Sequence, residues 1–419
     1  MRNYLAVLFA ITIFAVPWMW YNHNDFVVSV VDTIRSAGLQ LAAVISHKPK
    51  TTDELRLKYA QNVKAKNPSI KIMIVPGHEP NFGGAEFGSL KEREFNTKLA
   101  EDLAGFLRAN PRYEVFVART NDAWHPILAT YFSERWDDII DWNSSYKSEK
   151  ESLIRVGELK NTTPTVEHNI APSGPAMRLV GMNKWGKEND VDIAVHIHFN
   201  DDPAHKRNTP GKFSGFAVYI PENQYYNSAT TKAVAEKVFA RLGKYNPVSD
   251  LNGESAGIVE SPDLIAIGSN NSLDAASLLI EYGYIYEPQF RNDTTRVLAI
   301  KDLAYQTYLG LQDFFDPGES TKLARKYDTL LLPYSWNNNL TESANDVLPQ
   351  DIFALQSALI NDGVYPPRDR GKNDCPRSGA IGSCTKSALQ SFQDKYGITG
   401  ETNIVGVKTR EVLNREYGM

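Results

Sequence analysis

Four residues of types that bind metals or move protons stand at the edges of apolar runs. His78 follows KIMIVPG, His198 closes DIAVHIH, Glu281 closes ASLLIE, and Glu92 opens a stretch of helical spacing soon after His78. Two imidazoles, one carboxylate and an open position form a catalytic zinc arrangement, and a second carboxylate is then left to act as a base. With only two cysteines in the chain, a four-cysteine zinc site is excluded and any metal must be held mainly by His and carboxylates. Each residue alone is a weak signal, because a strand-end His is often a hydrogen-bonded structural group and a Glu is often a solvated charge. Glu281 says most, since it directly follows an apolar run where burial raises a carboxyl pKa. His196 shares a strand face with His198 and is expected to support or pack, because one zinc already has its ligands.

A competing motif fails. Gly253-Glu254-Ser255-Ala256-Gly257 matches G-x-S-x-G, but it lacks the strand before and the helix after that a nucleophile elbow requires. All eight histidines, from His23 to His205, precede Ser255, so no downstream His can complete a triad. No HExxH, Walker loop or G-x-G-x-x-G is present.

Positioning the four residues requires strands alternating with helices. Strand-like runs occur at Lys71–Val75, Tyr113–Ala118, Asp192–Ile197, Phe216–Ile220 and Ala276–Tyr282, with helical patterns at Lys91–Leu107, Met177–Lys187, Ser228–Leu242 and Thr294–Phe315. This predicts an α/β domain over 69–316, a mostly parallel sheet with helices on both faces, and a site beyond the carboxyl ends of the strands. Residues 123–177 read as an insertion whose Ile127, Tyr131, Trp136 and Ile140 would line one side of a helix beside the cleft.

The 419 residues, 42% hydrophobic and 23% charged, suit two or three globular units. A net charge of −5 gives no footprint for nucleic acid. Residues 1–24 include an uncharged apolar run, Tyr4–Trp20, just long enough to cross a bilayer as an anchor or to serve as a signal, which places the rest outside the cytoplasm. Residues 25–68 read as an amphipathic, membrane-proximal segment, with a helix docked on its own domain the equal reading of its stretch 26–45, and 317–345 as a linker. The small unit 346–419 repeats Ala-Leu-Gln-Ser at 354 and 388, marking two amphipathic helices that pack together. Cys375 and Cys384 lie between them, either as a local disulfide or as two buried thiols.

At this point the residues resemble a family, the zinc-dependent N-acetylmuramoyl-L-alanine amidases of type 3. His78, Gly84-Ala85, Glu92 and Asn96 fall on its D-P-G-H-G-G opening and the Glu and Asn after it. Val117-Ala118-Arg119-Thr120 with Asp122 is similar to L-T-R-x-x-D. Arg178 and Asn183 keep the spacing of R-x-x-x-A-N, His196-Ile197-His198-Phe199-Asn200 resembles S-I-H-A-N, and Leu279-Ile280-Glu281-Tyr282-Gly283 resembles L-V-E-x-G. The C-terminal unit resembles the three-helix peptidoglycan-binding domain, through Leu355-Gln356, Thr385 to Gln393 and Thr409 to Leu413.

The resemblance implies one Zn2+ held by His78, Glu92 and His198, with Glu281 as general base. It implies cleavage of the amide between N-acetylmuramic acid and L-alanine in bacterial peptidoglycan, in the cell envelope outside the cytoplasm. His196, Asn96, Arg119, Arg178 and Asn200 become candidates to support the metal or the substrate. The linker, with an r.m.s. reach of roughly 30 Å, would hold the enzyme near its polymer, and no regulatory protein is identified. The sequence departs from the pattern at Val75 for Asp, Glu79-Pro80 for Gly-Gly and His196 for Ser. Two alternatives follow: a non-catalytic wall-binding protein on the same scaffold, or a zinc peptidase cutting within the stem peptide.

Overall fold

A computed structural model describes residues 48–62, 70–168, 171–202, 205–206, 208–268, 274–318, 327–340 and 347–419. The expected membrane helix at 4–20 and the amphipathic stretch 25–47 lie outside the described residues; among those described, no helix is long and apolar enough to cross a membrane. The chain divides into two units, one of 49–140 with 163–419 and one that joins 141–162 to the residues up to 48. In the second, the described residues are Lys48, most of the helix Trp136–Arg155 and the segment after it up to 162.

The larger unit is built on six strands: β1 (Ile70–Pro76), β4 (Tyr113–Val117), β5 (Ile193–Asn200), β6 (Ala217–Pro221), β7 (Ile258–Ser261) and β8 (Ala276–Tyr284), in the order β4-β1-β5-β8-β6-β7. A hairpin, β2 (Glu86–Phe87) with β3 (Leu90–Lys91), stands apart. The central strands β5 and β8 read as near-continuous apolar runs because layers cover both faces. On β5, Ile193, Val195 and Ile197 enter one core, while Ala194 and His196 face a small cavity lined also by Met73, Val75 and Met182.

The first face is covered by α1 (Thr52–Gln61), α2 (Glu92–Arg108), α6 (Ser228–Tyr245) and α8 (Asp293–Phe315), and the second by α5 (Ser173–Glu188) and residues 264–267. The sheet is parallel except where β6 pairs with β8. The run Phe216–Ile220 therefore departs from the parallel set. Sixteen residues, 201–216, separate β5 from β6, and those described hold no helix, whereas a parallel return is usually made through one.

Segment α1 begins with a capping box in which Thr51 and Glu54 satisfy each other's backbone N–H groups. It buries Leu55 and Tyr59 in the main core, and Lys58 pairs with Asp192 at 2.6 Å. Residues 52–61 of the expected membrane-proximal segment thus pack on the α/β domain. In the insertion, α3 (Pro126–Glu134) ends at Arg135 before α4 (Trp136–Arg155) begins. Leu128, Phe132 and Ile139 keep helical spacing across the break and are buried, while Ile127 and Ile140 of the expected face are exposed.

The C-terminal unit has three helices, α9 (Pro349–Asn361), α10 (Ser383–Lys395) and α11 (Val407–Tyr417), with α7 (Pro288–Arg291) preceding α8 in the α/β domain. The Gln side chains of successive helices repeat one bond: Gln356 donates to Thr385 Oγ1 and Gln393 to Thr409 Oγ1, each at 2.9 Å. Cys375 and Cys384 form a disulfide. Residues 327–340, expected to be linker, pack into this unit through Leu332, Trp336 and Leu340, and Trp336 Nε1 donates to the Asp351 carbonyl at 3.0 Å. Their polar neighbours hide three apolar anchors spaced four apart. The unit meets α8 at a buried ion pair, Arg377 with Asp302 at 2.8 Å, and Asp302 also accepts from Thr329 and the Leu330 N–H.

Candidate metal centre

The chain leaves β1 at Pro76-Gly77 and turns back at His78, whose φ of 68° lies in the left-handed region that a non-glycine residue occupies only under constraint. The constraint is Arg119, buried after β4, which donates to the carbonyls of Pro76, Gly77, Thr120 and Arg93. Burial pushes its guanidinium down to about 10 against the carboxylates of Glu79 and Glu92, a value that leaves it cationic at neutral pH.

Glu92 opens α2 at the centre of the site. Its Oε2 lies 2.8 Å from His78 Nε2 and accepts from the Ala85 N–H at 2.8 Å; its Oε1 lies 3.1 Å from His198 Nδ1 and accepts from the Phe199 N–H at 3.1 Å. One donor atom from each of His78, Glu92 and His198 falls within 4.8 Å of the others. Two glycines make this approach possible. A Cβ on Gly77 would collide with the His198 ring, and one on Gly84 would come within 2.8 Å of His78 Cδ2 and 2.9 Å of Glu92 Oε2. Burial alone would raise the Glu92 carboxyl, but His78 and His198 outweigh it and hold the group well below the usual range.

This donor set fits a zinc ion. Two imidazole nitrogens and a carboxylate oxygen are its preferred ligands outside thiolate sites. His78 Nε2 lies 2.8 Å from Glu92 Oε2 but makes no hydrogen bond among the described residues, which leaves a ligating position at a buried nitrogen.

Glu281, on β8 opposite His198 in the register, is 9% exposed and its Oε2 has no hydrogen-bond partner among the described residues. Burial, then the carboxylates of Glu92 and Glu254, push it well above the usual carboxylate range. Asn96 donates at 3.3 Å to both Glu92 Oε1 and the Gly77 carbonyl. Arg178 on α5 donates to Glu79 at 2.9 Å, so one residue that departs from the family pattern provides the partner of another that keeps it.

His196 is not brought into the cluster. It is 1% exposed, both ring nitrogens lack hydrogen-bond partners among the described residues, and burial and then His198 push it down to about 3. Val75 and His196 are register partners and line the same small cavity under α5. The two departures beside the ligands therefore change a single spot on the sheet.

Sequence reasoning passed over Glu254 and His168. Glu254 sits in the rejected G-x-S-x-G motif; it accepts from Tyr219, Ser249 and Asn200, the last at 3.1 Å, and so fixes the Asn200 side chain beyond His198. Its signal was the one carboxylate inside a glycine turn. His168, in the irregular segment that closes the insertion, packs edge-on to Tyr219 at 4.7 Å, and burial, then His198, lower its pKa. Nothing in the sequence marked it.

The family model described as N-acetylmuramoyl-L-alanine amidase matches residues 72–313. Solved structures similar to the chain include an N-acetylmuramoyl-L-alanine amidase from Clostridium difficile 630, at 17% identity and TM-score 0.37, covering 61% of this chain and 100% of that one. The CwlD amidase from Clostridioides difficile, in complex with the GerS lipoprotein, gives 16% and 0.38 over 59% and 99%. Ami1 from Mycobacterium smegmatis gives 13% and 0.39 over 60% and 100%. No curated protein matches the chain significantly.

Proposed function

The chain belongs to the N-acetylmuramoyl-L-alanine amidase family, and on that premise we propose that it is a zinc-dependent hydrolase of the amide between the lactyl group of N-acetylmuramic acid and L-alanine. The observation that carries the reading is the convergence of His78, Glu92 and His198 within 4.8 Å beside Glu281, whose Oε2 has no hydrogen-bond partner among the described residues.

His78, Glu92 and His198 would hold the zinc, which when bound supplies Lewis-acid chemistry toward a carbonyl oxygen and toward water. Glu281 acts on protons. A carboxyl pushed above its usual range by burial is a stronger base once ionised, so it takes a proton from the attacking water and passes it to the leaving nitrogen. Water adds to the lactyl carbonyl carbon, the C–N bond breaks, and the products are a lactyl carboxylate and a stem peptide with a free L-alanine amine. Arg119 and Asn96 hold the His78 turn and Glu92 in place, and Glu254 holds Asn200.

The C-terminal unit is read as a peptidoglycan-binding domain, and its Cys375–Cys384 disulfide suits an oxidising compartment outside the cytoplasm. Anchorage through residues 4–20 rests on their composition alone. The test is mass spectrometry of material released from purified sacculi, with the metal-chelated protein and His78→Ala beside it. Stem peptides with free L-alanine amino termini, lost in both controls and restored to the chelated protein by zinc, are expected. Cuts inside the stem would move the assignment to a peptidase, and retention on sacculi without release would make the chain a binding protein.

A further inference from the structure

The joint between the α/β domain and the C-terminal unit encloses a cleft of about 700 Å3, within the size range of ligand sites. One wall comes from α7 and the start of α8, with Arg291, Asn292 and Thr295; the other comes from the C-terminal unit, with Tyr365, Asp374 and Ser383 around the disulfide loop. Neither domain makes the cleft alone. The two walls are fixed to each other by the buried Arg377–Asp302 pair and by Asn373, which donates to the Val248 carbonyl at 2.9 Å.

One wall of the cleft adjoins elements of the candidate metal centre. Segment α7 directly follows β8, the strand that carries Glu281. The Arg291 guanidinium lies 5.9 Å over the ring of Phe87, on the hairpin next to Ala85, whose N–H is held by Glu92. Prolines 288, 349 and 376 and Tyr365 supply apolar faces, and amide, hydroxyl, guanidinium and carboxylate groups lie among them. That mixture suits an amphiphilic glycopeptide, whose sugar faces are apolar and whose edges and peptide are polar.

We propose that this cleft binds a second repeat of the polymer being cut, a glycan–peptide unit next to the one at the metal centre. The proposal rests on the amidase reading for the identity of the polymer. A substrate longer than one repeat then engages both sites at once, and the second contact acts at a high effective concentration.

Gly382 provides the test. It lines the cleft, its backbone is extended, and a Cβ there meets nothing within 4 Å, so a side chain can be added without displacing the fold. The full-length protein is assayed on soluble single-repeat and multi-repeat muropeptides. The wild type is expected to show a KM about tenfold lower per site on the longer substrate. Gly382→Trp should lose that advantage while keeping its Tm and its single-repeat kcat/KM, and Gly382→Ala should keep all three. A wild type indifferent to length, or a Gly382→Trp protein that retains the length preference, overturns the proposal. If neither substrate is cut at the lactyl–alanine amide, the amidase reading falls separately; calorimetric binding of the longer muropeptide to chelated wild type and Gly382→Trp then decides the cleft, with about tenfold weaker binding by the variant expected and equal binding overturning it.

Discussion

At the joint between domains, Asp302 meets an opposite charge and two further donors: Arg377, the Thr329 hydroxyl and the Leu330 N–H. At the candidate metal centre the carboxyls of Glu92 and Glu254 both oppose ionisation of Glu281, and His78 and His198 face each other at 5.0 Å. The joint pairs its buried carboxylate with an opposite charge, whereas the centre pairs Glu92 with His78 and His198 but sets Glu281 among like charges and leaves its Oε2 without a hydrogen bond among the described residues. Buried polar groups are normally paired, so an uncompensated cluster held by a rigid sheet marks a place where stability gives way to chemistry.

The sharpest way to break this contrast is Glu281→Gln. Turnover should fall about 10^3-fold, in the range for loss of a general base, while thermal unfolding of the chelated protein should show no loss of stability. The sign follows from the raised pKa: an ionisable carboxyl harder to ionise when folded penalises folding above its unfolded pKa of about 4.3, and Gln removes that penalty. A clear drop in Tm would mean that Glu281 is a structural group.

Arg377→Ala should do the reverse. Leaving Asp302 buried and unpaired should cost about 3 kcal/mol in denaturant unfolding, and single-repeat muropeptide turnover per folded molecule should stay within twofold. Equal loss of turnover would show that the joint also shapes the metal centre.

The smallest effect belongs to Asp328, at the edge of the joint. Burial would raise its carboxyl, but hydrogen bonds from Lys244 and Tyr245 and the charges of Lys244 and Arg241 hold it below its ordinary value. Its contribution is therefore present above the unfolded pKa of about 3.9 and is lost as pH falls below that. Asp328→Asn should lower stability by about 1 kcal/mol at pH 7, and the difference from wild type should shrink below pH 4 in urea titrations. A difference independent of pH would assign the effect to packing.

The candidate site was legible because His78, His198 and Glu281 each follow an apolar strand pattern, and strand ends in an α/β sheet converge on one edge. Glu254 and His168 were not, since they reach the site from a turn and an insertion that obey no period. Residues 327–340 misled for the opposite reason: a few apolar anchors, Leu332, Trp336 and Leu340, outweigh a polar composition once they find a core. In the insertion the buried stripe runs through Leu128, Phe132 and Ile139, one position away from the expected Ile127 and Ile140.

Periodicity and residue type alone determined the alternation of strands and helices, the candidate ligands and two packed helices at the end of the chain, since these depend on which face of a local element is apolar. Only the tertiary structure decided that β6 runs against β8, that Val75 and His196 share one spot, that Glu79 answers Arg178, and that the C-terminal unit is docked by Arg377. Those facts are contacts between residues far apart in the chain, and a local pattern carries no record of which distant partner a buried charge will find.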